Sequence, residues 1–228
     1  MTQNVRLFST SLMATLALLG CAGGVSTGGG SEPEPAQGSP TDLEAIYRAR
    51  TDSARLRVNE ADVRFMTGMI GHHAQALVMA RLAPSHNASP SVQVLCARII
   101  NAQQDEIATM QQWLRDRGQP VPEVHINGTT LTVDGPEYAM HMPGMLSPDQ
   151  IRELDDARGP TFDRLFLTYM IQHHQGAVTM VHHLFATDGA ALDGLTFKLA
   201  SDIQVDQTTE IARMQRMLDA LAESEGTP

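Results

Sequence analysis

Four segments of the chain place apolar residues at helical spacing, and they do so as two similar pairs. At about 100° per residue, Phe65, Met66, Met69, His73, Ala76 and Ala80 fall on one stripe. A second stripe carries Leu95, Ile99, Ala102, Gln103, Glu106, Met110 and Trp113. Farther on, Met170 and His174 centre a third, and Leu199, Ile203, Asp206, Glu210, Met214 and Met217 form a fourth. The pattern predicts four helices.

The pairs are copies. Aligning His72 and His73 on His173 and His174 matches Asp62 with Asp163, Phe65 with Phe166, Met69 with Met170, Ala76 with Ala177 and Met79 with Met180. A second motif, Q-x-x-E-I-x-x-M, starts at Gln103 and again at Gln207. Such self-similarity is an architectural signal. Residues 83–90 and 187–190 are rich in helix breakers and read as the turns of two hairpins. The expected fold is therefore all-α: a four-helix bundle over residues 41–228, with repeats at about 58–118 and 158–222 joined by a linker at 119–157. Within that linker Gly128 to Val133 reads as a strand, and Ser147 starts a short helix through about Ala157.

Each predicted helix turns one ionisable group inward: His73, Glu106, His174 and Glu210. An unpaired buried charge costs several kcal/mol, so four at equivalent positions need a joint explanation. One is a pair of His–Glu hydrogen bonds that fix the register of the bundle. Another is a metal site, with His73 and His174 inward and His72 and His173 on the flanks beside Met79 and Met180. Met69 stands one turn from His73, and Met170 one turn from His174. Imidazole with thioether suits Cu(I), and histidine sets also take Cu(II), so copper is the expected ion. Met66, Met110, Met214 and Met217 read as core fillers. Met140, His141, Met142 and Met145 could form an exposed uptake site on the linker. His182 and His183 read as surface residues, while His86 and His125 fall in predicted loops and carry no argument. Asp62 and Asp163 sit at helix starts, where capping suffices.

A di-metal oxidase holding iron or manganese is the rival chemistry. Bundles of that kind use Glu-x-x-His on two helices, whereas the residue three before His72 is Met69 and three before His173 is Met170. Nucleophile elbows, phosphate loops and nucleotide fingerprints are missing, so nothing else in the sequence offers an enzyme. A third reading is a metal-free bundle that binds a partner through an apolar face.

Composition narrows this further. The formal charge is −10 with no basic stripe, which excludes nucleic acid as a partner. Aromatics are 4% of residues while methionine reaches 13, a balance suited to helical packing. Residues 1–20 carry Arg6 and a short apolar run, the pattern of a signal peptide. That run ends in Leu18-Leu19-Gly20-Cys21, which resembles the lipobox of bacterial lipoproteins and implies lipidation of Cys21. Residues 21–40 form a Gly/Ser/Pro tether. The expected protein is thus secreted, periplasmic or cell-surface, and anchored to the membrane by lipid. Its partners are metal ions, with a protein acceptor in metal transfer and a homodimer also admitted. Cys96 reads as a small buried hydrophobe.

The motifs F-M-x-x-M-I-x-H-H-x-x-A-x-x-M-A and F-D-x-x-F-L-x-x-M-I-x-H-H-x-G-A-x-x-M, with M-P-G-M-L-S-P before the second, resemble the domain of unknown function 305 family. The resemblance spans about residues 58–222 and implies a ferritin-like helical bundle. Some bacterial members are extracytoplasmic copper-binding proteins that use methionine and histidine. By resemblance the candidate ligands are Met69, His72, His73, Met79, Met170, His173, His174 and Met180. Leu167 stands where the first repeat has Met66, which removes one thioether from the second half.

Overall fold

The computed structural model describes residues 40–55, 58–135 and 142–225. The expected leader, Cys21 and nearly all of the tether lie outside the described residues, as do Met140 and His141. In chain order the elements are α1 (Pro40–Arg55), α2 (Glu60–Ala80), a 3-10 turn (Ala83–Ser85), α3 (Pro90–Asp116), β1 (Glu123–Asn127) and β2 (Thr130–Asp134). They continue with α4 (Pro148–Asp156), α5 (Gly159–Phe185) and α6 (Gly194–Glu225).

Local chemistry sets the boundaries. The Asn59 side chain accepts from the Ala61 amide and opens α2. Ser89 does the same for α3, which has a proline in its first turn, and a Ser147–Gln150 capping box opens α4. The fold is the expected bundle of α2, α3, α5 and α6. Two elements exceed the expectation. α1 occupies residues that showed no helical stripe, and Leu43, Ile46 and Tyr47 on it are exposed. The strand read at 128–133 is β2, and its antiparallel partner β1 pairs Val124 with Val133 and Ile126 with Leu131. Gly128 turns between them at φ 58°, a conformation two-residue hairpin loops demand.

α2 packs on α3, α5 packs on α6, and α2 and α5 form the central contact between the hairpins. The core divides into two apolar clusters. One joins Met79 and Ala76 of α2 to Phe162, Phe166 and Met170 of α5. The other joins Phe65, Met66 and Met69 to Ala177, Met180 and Val181. The start of α2 therefore meets the end of α5, so the two helices run antiparallel, with the histidines at the crossing.

Asp62 and Asp163 serve the opposite hairpin rather than capping their own helices, whose N-caps are Asn59 and Arg158. Asp62 is buried and accepts from the Ala191 amide at 2.7 Å, in the turn of the other hairpin. Asp163 accepts from the Ser89 amide through both oxygens at 3.1 Å, again in the opposite hairpin's turn. The duplicated aspartates thus lock each hairpin to the other's connection. His86, expected to carry no argument, is also structural. It is buried between Ser85 and the Asp155 carboxylate and carbonyl, and its own carbonyl accepts from Gly159.

Candidate metal centre

Every residue of α2 from Phe65 to Ala80 is buried, because the central helix is covered by α3, α5, the β hairpin and the linker. That corrects the expectation of a flank. His72 and His173 are as fully buried as His73 and His174. A helical wheel counts only residues of its own helix, whereas here α5 covers the side of α2 that the wheel leaves at the edge. The rings of His72 and His173 face each other across the two helices, 3.8 Å between centroids and tilted by 34°. His73 and His174 lie outward of them, with centroids 6.3 and 6.2 Å from their neighbours.

The outer imidazoles are anchored. His73 Nε2 meets Glu106 Oε2 at 2.7 Å, and His174 Nε2 meets Glu210 Oε2 at 2.7 Å. His72 Nε2 donates to the Pro143 carbonyl at 3.0 Å. A carbonyl only accepts, so neutral His72 carries its proton on Nε2 and leaves Nδ1 bare. The carboxylates impose the same tautomer on His73 and His174. The Nδ1 atoms of His72, His73 and His174, and both nitrogens of His173, are buried without a hydrogen-bond partner. Burial pushes the His72 imidazole down to about 3, reinforced by His73 and only partly offset by Pro143. His173 is held well below the ordinary value, first by burial and then by His72 and His174. Burial also lowers His174, against the opposing pull of Glu210. Near pH 7 these three rings are neutral, the form in which imidazole binds a metal.

Thioethers lie on both sides of this layer. Met69 and Met180 share one cluster, with Met142 packed against it, and Met79 and Met170 share the other. Met66 and Met110 fall in the first and Met214 in the second; all three are fully buried. Of the linker set, Met142 and Met145 are half-buried. Met142 lies over Gly68, where an added Cβ would sit 2.6 Å from its terminal methyl. Met142, Met180, His183 and Phe65 line a surface cleft of about 460 Å³. A second cleft of about 530 Å³ between α3 and α6 carries Asp105, Glu106, Asp202 and Asp206. Burial, then Glu106, Glu210 and Asp202, raises the Asp206 carboxyl above its usual range. Glu106 thus belongs both to this acidic opening and to the histidine layer.

The linker seals the layer from one side. Leu146 is clamped by Gln75, whose amide donates to its carbonyl at 3.0 Å and accepts from its N–H at 2.7 Å. Pro143 lies so close to α5 that a Cβ on Gly176 would fall 1.9 Å from its carbonyl oxygen. The sequence reading did not find the Pro143 carbonyl. The one signal was a glycine, Gly176, inside an otherwise regular helix.

Among the described residues, three ligand atoms of His, Cys, Asp or Glu approach within 4.8 Å of one another only at Glu123, His125 and Asp134. These are exposed on the hairpin, where His125 Nε2 meets Asp134 Oδ2 at 3.2 Å. The histidine layer therefore brings no three such atoms together, and a fuller donor set there would have to draw on the thioethers of the adjoining clusters. Cys96 is buried and its thiol is pushed up to about 12 by burial, so it is no ready ligand.

The fold and this histidine layer define a class, the helical bundles with paired histidines on their central helices. The chain belongs to the family described as Domain of unknown function (DUF305), which it matches over residues 62–218. A DUF305 fragment from Deinococcus radiodurans is 31% identical with a TM-score of 0.59, covering 71% of this chain and 97% of that one. CopM in its Cu(II)-bound form is 29% identical with a TM-score of 0.53, covering 70% and 96%. CopM in its Cu(I)-bound form is 27% identical with a TM-score of 0.52, covering 72% and 98%. Among curated proteins, none matches the chain.

Proposed function

We propose that this protein binds copper outside the cytoplasm and serves in its sequestration, delivery or tolerance. The observation that carries the reading is the row of four buried imidazoles with bare nitrogens, three of them held in one tautomer by a carboxylate or a carbonyl. Metal-bound histidines are oriented in this way, their second N–H given to a carboxylate or a backbone carbonyl. Glu106 and Glu210 then act as orienters of His73 and His174. Met69, Met79, Met170 and Met180 add soft donors on the adjoining turns, which favours copper over harder ions. The copper-bound forms of CopM support the same choice of metal. His–Glu pairs alone would fix helix register, but register does not require His72 and His173 to be buried with unmet nitrogens. A di-iron oxidase is disfavoured because both carboxylates of the layer already hold imidazoles. Met142 and Met145 belong to the proposed uptake surface. Export and lipidation at Cys21 complete the reading, and the acidic α3–α6 cleft would concentrate cations at the bundle.

The test is metal retention by the purified protein after exposure to Cu(I), Cu(II), Zn(II) and Fe(II) and exchange into metal-free buffer. Copper should be kept above the others. Retention of iron in its place, with oxygen consumption, would replace this reading with the oxidase.

A further inference from the structure

Two other buried polar groups share the interior with the imidazoles. Gln103 is 1% exposed, and neither its amide nitrogen nor its amide oxygen has a partner. Gln207 is 2% exposed, and its amide oxygen has none. They are equivalent residues of the duplication, each one helical turn before the glutamate that anchors an imidazole. α2 and α3 form a hairpin with His73 opposite Glu106, so Gln103 comes level with Ala76. The same register in the second hairpin brings Gln207 level with Ala177. Both alanines are fully buried. Ala76 lies in one apolar cluster and Ala177 in the other, so the two amides sit one turn to either side of the histidine layer.

A buried amide with no partner is expensive, and an apolar side chain of the same size would be cheaper. Its occurrence at two matched positions, one turn before each anchoring glutamate, points to something polar that the amides hold. An amide offers a carbonyl acceptor and two N–H donors, the complement of water. Cu(I) bound by imidazole and thioether needs no water, whereas a divalent ion keeps oxygen ligands more readily. Resting on the copper-binding reading, we propose that Gln103 and Gln207 hold water on either side of the histidine layer and that this water favours Cu(II) over Cu(I). They would be positioning residues for the metal, acting through the water they orient.

The doubly substituted protein Q103L/Q207L separates this from packing alone. Its Cu(II) affinity should fall by about ten- to a hundred-fold, the usual effect of losing an outer-sphere partner, with Cu(I) affinity unchanged. Cu(II) affinity equal to wild type would overturn the proposal while leaving the copper reading intact. An equal loss for both oxidation states would also overturn it, since the amides would then not discriminate. Wild-type protein that takes up neither ion would bring down both claims at once.

Discussion

The two halves of this molecule are near copies in sequence and unequal in surroundings. Position 75 in the first half is glutamine, whose amide holds the linker at Leu146. Its counterpart in the second half is Gly176, whose missing side chain lets the linker lie against α5. The result is that His72 has Pro143 as a partner while His173 has none. Duplication thus builds a symmetric layer of imidazoles, and one unduplicated strap makes its two central rings different. The lesson is that equivalent ligands in a repeat need not have equivalent affinity, because a backbone carbonyl from outside the repeat can fix one and leave the other free.

The largest effect should come from acid. An unfolded histidine takes its proton near pH 6.5, whereas folded His72 resists it down to about 3, and His173 and His174 are lowered too. Between those values the unfolded chain binds more protons, so stability is full above about pH 6.5 and falls as pH drops toward about 3. Each such group contributes up to about 1.4 kcal/mol per pH unit. Urea unfolding of metal-free protein should therefore show a loss of about 2 kcal/mol or more between pH 7 and pH 5. A flat profile would mean that the imidazoles are open to bulk solvent rather than sealed. Imidazole spectra over the same range sharpen the comparison, since partnerless His173 should hold out against protonation longer than His174, which has Glu210.

A smaller effect tests the strap directly. In Gly176→Ala the new Cβ would meet the Pro143 oxygen at 1.9 Å, so strap or helix must move. Overpacking of this kind costs about 1–3 kcal/mol, read as a lower urea midpoint. The asymmetry of the histidine pair should shrink with it, because His72 loses its carbonyl partner. An unchanged midpoint together with an unchanged His72 titration would show that the linker does not control the layer.

The bundle was legible in the sequence because its signal is repeated. Two histidine pairs, two Q-x-x-E motifs and two breaker-rich turns agree on one architecture. α1 was not legible, since its apolar residues Leu43, Ile46 and Tyr47 stay exposed and make no buried stripe. β1 was hidden for a related reason: only Val124 and Ile126 turn inward, with polar Glu123, His125 and Asn127 between them. At the site, the inward direction of His73 and His174 could be read from one helix at a time. The stacking of His72 on His173 could not, because it depends on how α2 crosses α5. The Pro143 contact was more remote still, as a backbone carbonyl has no side chain to announce it.

The most direct test of the central claim compares copper stoichiometry in wild type, in H73A/H174A and in H125A, with circular dichroism confirming that each is folded. The histidine layer predicts that the double variant loses the tightly held copper while H125A, altered only on the exposed hairpin, keeps it. Full copper retention by H73A/H174A, or its loss in H125A, would contradict a site in the bundle core.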